Sequence, residues 1–190
     1  MYVYLKVYID VIVSIVLLVI LFPLFFVIGV AIKLETDGPA IIKQKRVGQH
    51  GVIFNMFKFR TMKVNTPSLP TWALEDPDAY ITKVGRFLRR SSLDELPQLI
   101  NIVRGEMSFV GPRPVLYNED NLIKLRKKAR VEKAKPGLTG LAQIHGRDFV
   151  SDKKKVVYDK LYVLNMCLTL DLKILFKTFV YVIKARGIRA

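Results

Sequence analysis

From residue 11 to residue 32 the chain runs for 22 residues without a formal charge. Wound as one helix, that stretch is about 33 Å long, enough to cross the hydrocarbon core of a bilayer. Pro23 sits in its middle. Proline removes a backbone donor and its ring crowds the preceding turn, so the pattern predicts a kink there. Lys6 and Asp10 come before the run, and Lys33, Glu35 and Asp37 follow it. Two arrangements satisfy these positions. A spanning helix would leave a short charged N-terminus on the far side; a helix broken at Pro23 would dip into one leaflet and keep both ends on the cytoplasmic side. A signal peptide fits less well, because Lys6 is the only basic residue ahead of the run and no small-x-small cleavage site stands out.

Past the turn signal Gly38-Pro39, the pattern predicts two strands, over 40–46 and 52–60, around Gly48-Gln49-His50-Gly51. On the second strand Phe54, Met56 and Lys58 share one face, and Asn55, Phe57 and Phe59 the other. Residues 64–78 are rich in Pro, Thr and Asp and read as a loop with a short helix. Helices are predicted over 84–90, 97–104 (stopped by Gly105), 117–132 and 151–165. Residues 107–114 are compact and turn-rich. Residues 135–147, KPGLTGLAQIHGR, hold four structure breakers and read as an ordered loop. The last segment, 168–186, is amphipathic: Lys173, Lys177 and Lys184 form one stripe, and Leu172, Leu175, Phe176, Phe179 and Ile183 the apolar side. A core helix with a solvated face and a helix lying in a membrane interface both give this pattern, and the apolar N-terminal run favours the second. The expected fold class is α+β, mainly helical, with a small β-hairpin.

Charge narrows the partners. Lys and Arg number 31 against 16 Asp and Glu, a net charge of +15. Such a balance calls for anionic partners. The basic residues are scattered among apolar ones, and Lys153-Lys154-Lys155 is the longest run. That distribution suits a membrane surface or a phosphate pocket, and no nucleic-acid partner is expected. With one cysteine, Cys167, an intrachain disulfide is impossible. With two histidines, His50 and His145, a His/Cys zinc site or a Cys–His pair is improbable. Neither a G-x-x-x-x-G-K-[ST] loop nor a G-x-G-x-x-G motif is present.

The chemistry concentrates in residues 85–98, GRFLRRSSLDELPQ, where Asp94 and Glu95 follow Arg86, Arg89 and Arg90. Ser92-x-x-Glu95 matches a helix capping box, which would make Glu95 a purely structural residue. A helix starting at Ser92, however, would carry Pro97 in its second turn, so the spacing predicts an irregularity at the acidic pair. Adjacent carboxylates among arginines suit phosphate chemistry. A carboxylate can hold Mg²⁺ against phosphate oxygens or attack phosphorus itself. Arginine forks grip phosphate bidentately and keep a neighbouring acid ionised. Further cations stand beside turns or glycines: Lys58 and Arg60 in KFRTM, Arg113 in GPRP, and Arg147 after Gly146.

These residues lie in blocks that together resemble the bacterial sugar transferase family, the monotopic phosphoglycosyl transferases. The blocks are DGPAIIKQKRVG at 37–48, KFRTM at 58–62, ITKVGRFLRR at 81–90, SLDELPQLINIVRGEMSFVGPRP at 92–114, KPGLTGLAQIHGR at 135–147 and YDKLYVLNMCLTLDLKILFKT at 158–178. The resemblance implies a monotopic enzyme of the bacterial inner membrane, on its cytoplasmic face. Residues 1–36 would form a re-entrant helix kinked at Pro23, and 37–190 a membrane-associated catalytic domain with interfacial amphipathic helices. It implies that Asp94 attacks the sugar-linked phosphorus of a UDP-sugar donor and releases UMP. A polyprenyl (undecaprenyl) phosphate acceptor then takes the sugar phosphate from a phospho-aspartyl intermediate. Glu95 is then the partner carboxylate, with Asp94 and Glu95 the ligands of Mg²⁺. Arg89 and Arg113 become phosphate-binding residues, with Lys58, Arg60 and Arg147 in weaker supporting roles. A homodimer is compatible with this reading. Two departures stand out: Phe22 replaces the Ser that often precedes the helix-breaking proline, and the N-terminus is less basic than in many members.

Two other readings compete. A membrane-anchored basic protein that binds anionic lipid or nucleic acid without catalysis explains the charge and the apolar run. It leaves the paired acids and the turn-rich basic loops unexplained. The anchored catalytic part of a processive polymerase fits poorly, because the chain has too few apolar runs to build a multi-span pore.

Overall fold

The computed structural model describes residues 2–66, 76–146 and 150–183. The apolar N-terminal run divides at Leu21 into α1 (Tyr2–Ile20) and α2 (Phe22–Glu35), with Pro23 in the first turn of α2. There its missing N–H costs nothing. The α1 helix is long and apolar enough to cross a membrane. Its polarity is inverted relative to a soluble surface helix. Lys6, Asp10 and Ser14, spaced by four, are buried against the protein, while Tyr4, Tyr8, Ile12 and Val19 point outward. Lys6 and Asp10 therefore do not precede the apolar helix, as their positions ahead of the uncharged run suggested; they lie inside it. Lys6 Nζ contacts Asp171 Oδ2 at 2.5 Å, and Tyr2 and Tyr162 donate to the same carboxylate. Ser108 Oγ donates to Asp10.

Two strands follow, β1 (Ile41–Val47) and β2 (Ile53–Phe59), paired antiparallel from Ile41↔Phe59 to Val47↔Ile53. The turn between them is 3-10, with His50 at φ 55°. β1 is central, flanked by β2 and by a short strand, β4 (Val115–Leu116). Phe54, Met56, Phe57 and Phe59 are all buried, so β2 is covered on both faces. Its free edge is closed by Asn101, whose side chain accepts from Phe57 N–H and donates to Asn55 O. That contact supplies partners to backbone groups an edge strand would otherwise leave open.

Helices α3 (Pro77–Tyr80), α4 (Lys83–Ser91) and α5 (Gln98–Val103) carry the chain past the acidic pair. α4 starts under a double cap. Thr82 Oγ1 accepts from Gly85 N–H, and the Glu35 carboxylate accepts from the N–H groups of Lys83 and Val84. The end of α2 is thereby fixed to the start of α4. Gly85 is required at this point, since a Cβ there would overlap the Thr61 carbonyl.

Besides β4, two more short strands were not visible in the hydropathy pattern. β3 (Ser108–Val110) and β5 (Gly137–Thr139) pair in parallel, inside segments that read as turns and loop. Three residues per strand are too few to show a period of two. The helix expected over 117–132 is confined to α6 (Asp120–Lys128), and α7 (Asp152–Leu164) and α8 (Leu168–Ile183) complete the described fold. On α8, Ile174 and Asp171 face inward while Leu172, Leu175, Phe176 and Phe179 are exposed. The apolar side seen in the sequence is the outward side, so α8 is not an ordinary core helix. Lys184 lies outside the described residues.

Candidate active site

Asp94 and Glu95 sit in a 3-10 turn, Leu93–Glu95, between α4 and α5. The turn begins at Ser92, which is left-handed at φ 57° and donates its N–H to the carbonyls of Leu88 and Arg89. This is the usual closure of a helix C-terminus, made with serine rather than glycine at the cost of backbone strain. The capping-box alternative fails: Ser92 makes no side-chain cap, and the Glu95 carboxylate goes elsewhere. Pro97 precedes α5 instead of interrupting it.

Glu95 Oε1 accepts from Lys58 Nζ at 3.0 Å and from Arg113 Nη2 at 2.7 Å. Lys58 Nζ also lies 3.9 Å from Asp94 Oδ2. One ammonium thus serves both acids, delivered by β2 from one side, while Arg113 arrives from the loop between β3 and β4. The Lys58, Asp94 and Glu95 side chains are 16%, 13% and 18% exposed, and Arg113 is 41% exposed. The acids therefore lie at the floor of a shallow cationic site, with Arg113 at its rim.

The two carboxyls are pushed in opposite directions. Burial raises Asp94 above the ordinary aspartate value, opposed chiefly by Lys58. Burial raises Glu95 as well, but Arg113 and Lys58 outweigh it and hold that carboxyl below the usual range. Glu95 is the fixed counter-charge, while Asp94 is held above its ordinary value by burial, with Lys58, Arg113 and Arg89 working against that. Among the described residues the Asp94 carboxylate accepts no hydrogen bond.

Arg89, in the last turn of α4, donates from Nε to Thr61 Oγ1 at 3.0 Å. Burial lowers its pKa, and the Asp94 charge works against that. Arg60 is buried and its guanidinium is taken by the carbonyls of Thr36 and Asp37, so it braces the exit of α2 and contacts neither acid among the described residues. Arg147 lies outside the described residues. The structure brings together Asp94, Glu95, Lys58 and Arg113, with Arg89 close behind. Sequence reading missed Thr61, the partner of Arg89, because a lone threonine after a strand carries no local signal.

No group of three or more His, Cys, Asp and Glu converges among the described residues. Among the described residues, the acids at this site that could hold a cation are Asp94 and Glu95. Two carboxylates fit Mg²⁺, which takes few protein oxygens and completes its shell with water and substrate phosphate. Both cationic side chains approach Glu95 through Oε1, leaving oxygens of both acids for a metal. A cavity of about 370 Å³ lies elsewhere, among Val7, Ile102, Met107 and Val163, and includes neither acid.

The family model for bacterial sugar transferases matches residues 1–185. The chain belongs to the bacterial sugar transferase family. Among its relatives, the uncharacterized sugar transferase EpsL of Bacillus subtilis (strain 168) is 43% identical over 166 residues, covering 87% of this chain and 80% of that protein. The UDP-glucose:undecaprenyl-phosphate glucose-1-phosphate transferase of Escherichia coli (strain K12) is 42% identical over 158 residues, covering 80% of this chain and 34% of that protein. The undecaprenyl-phosphate galactose phosphotransferase of Salmonella typhimurium (strain LT2) is 42% identical over 168 residues, covering 79% and 34%. The bacterial sugar transferase chain thus corresponds to about a third of the last two proteins and to most of the first.

Proposed function

We propose that this bacterial sugar transferase moves a sugar 1-phosphate from a UDP-sugar to polyprenyl phosphate, through a covalent intermediate on Asp94. The observation that carries the reading is the pairing of two adjacent carboxylates with unequal surroundings. Glu95 is held by Lys58 and Arg113, while the Asp94 carboxylate accepts no hydrogen bond among the described residues. A carboxylate so placed is a nucleophile. The relatives that act on UDP-glucose or on undecaprenyl phosphate, by their names, support the substrate classes.

In the first step an Asp94 oxygen forms a bond to the sugar-linked phosphorus. The bond from that phosphorus to the bridging oxygen breaks, and UMP leaves with the electron pair. In the second step an oxygen of polyprenyl phosphate attacks the same phosphorus and the Asp94 carboxylate departs. The product is a polyprenyl diphosphate sugar. Arg113 and Lys58 offset charge on the phosphoryl oxygens, and Arg89 supports Asp94 from behind. Mg²⁺, held by Asp94 and Glu95, would add charge neutralisation at the donor's phosphates.

The outward apolar faces of α1, α2 and α8 support a membrane placement in which the acceptor's phosphate meets the site at headgroup level. The break at Leu21–Pro23 supports a re-entrant anchor over residues 1–36, with the catalytic part, 37–190, on the cytoplasmic face of the inner membrane.

The test is UMP release from a panel including UDP-glucose and UDP-galactose, in detergent, with undecaprenyl phosphate and Mg²⁺. Release that needs Asp94 and is stopped by a chelator supports the reaction. Turnover by Asp94→Asn at the wild-type rate would rule it out.

A further inference from the structure

The loop that carries Arg113 is held by three consecutive main-chain carbonyls. Pro112 O accepts from Gly137 N–H at 2.9 Å. Arg113 O accepts from Arg126 Nη1 at 2.6 Å, and Pro114 O accepts from Arg46 Nη1 at 3.0 Å. Pro112 and Pro114 have no N–H to donate, so their acceptors are the handles the segment offers. The donors come from three different elements, β5, α6 and β1.

Both arginines are themselves anchored. Arg126 Nη2 donates to Asp159 Oδ2 at 2.6 Å, and these side chains are 11% and 1% exposed. Arg46 Nη2 donates to Gln44 Oε1 at 2.7 Å. Burial, with Arg113 nearby, pushes the Arg46 guanidinium down to about 10. Burying a guanidinium is costly, and here two of them are spent on carbonyls flanking one peptide bond. Lysine could not do the same, because the planar fork joins a carbonyl and an anchor in one rigid group.

We infer that Arg126, backed by Asp159, and Arg46 are positioning residues that hold the 113–114 peptide so that the Arg113 guanidinium meets Glu95. Through Arg113 they set how tightly the site takes the donor's phosphates. This rests on the transferase reading above.

A double-mutant cycle separates placement from general stability. Wild type, Arg113→Met, Arg126→Met and the double variant are compared for KM and kcat with whichever UDP-sugar is turned over. Each single change is expected to raise KM about tenfold, the loss of one charge-assisted contact. The double variant should be within about twofold of Arg113→Met alone, because Arg126 has nothing left to position. Arg126→Lys should fall between wild type and Arg126→Met. Effects that multiply in the double variant overturn the inference, as does Arg126→Met with lower yield but wild-type KM. If Arg126→Met does not fold, Arg46→Met takes its place, since it leaves Asp159 paired. A wild type inactive with every donor would instead sink the transferase reading. The same cycle, read by calorimetry as affinity for inorganic pyrophosphate, then decides the positioning role.

Discussion

Lys58 Nζ stands 3.0 Å from Glu95 Oε1, and from that position it also reaches towards Asp94. The shared ammonium opposes the burial that raises the Asp94 pKa. In the proposed reaction Asp94 attacks as the carboxylate, so activity is expected to fall as pH drops through its folded value. Lys58→Met removes the opposing charge and should move the acid limb of the kcat/KM profile for UMP release to higher pH. An unshifted limb would show that Lys58 does not act on Asp94.

Glu95 behaves in the opposite sense. Its folded pKa lies below the unfolded value of about 4.3. Its contribution to stability is therefore complete above that pH and is lost as pH falls through the folded value. Glu95→Gln should cost about 1–3 kcal/mol at pH 7. The gap between the variant and wild type, followed by denaturant titration, should hold from pH 7 to about 5 and narrow progressively as pH falls below about 4 towards the folded value. A gap that widens on acidification contradicts the assignment.

For Asp94 the stability sign reverses. Its folded pKa is raised, so the neutral form is favoured by the fold and the ionised form carries a penalty at neutral pH. Asp94→Asn should remove UMP release yet stabilise the protein by about 1 kcal/mol near pH 7, a gain that fades below the unfolded value of about 3.9. Thermal unfolding in detergent at pH 7 and pH 4 checks this; a lower Tm for the variant at pH 7 would exclude it.

Lys6 and Asp171 join α1 to α8 with side chains 9% and 5% exposed. Lys6→Met should destabilise by about 3–5 kcal/mol, because Asp171 is left charged and buried. Lys6→Met combined with Asp171→Asn should recover part of that loss. Equal loss in the single and double variants would show that the ion pair itself contributes nothing.

Much of the site was legible because its chemistry is local in the chain. Asp94, Glu95 and the preceding arginines fall within one short stretch, and Pro97 pointed to the irregular backbone that Ser92 supplies. The two long strands and α4, α7 and α8 declared themselves by period. What stayed hidden depends on distant partners. Arg60 and Arg113 look alike as basic residues near turns. Yet Arg60 is consumed by the carbonyls of Thr36 and Asp37, while Arg113 reaches Glu95. Lys6, Asp10 and Ser14 show a spacing of four in the sequence, but what receives Lys6 and Asp10 is Asp171 and Ser108, far along the chain.

That last separation has a consequence for biogenesis. Lys6 and Asp171 are 165 residues apart. At about 5–20 residues per second, the ribosome needs roughly 10–30 s to make the second after the first. Ser108 can receive Asp10 part-way through that interval, but Lys6 waits for Asp171 until the end of it, and hydrocarbon is a costly place for such a group. The nascent helix must keep that group in contact with water or lipid headgroups until α8 arrives. α1 is thus made well before α8 and is among the last of the described elements to settle.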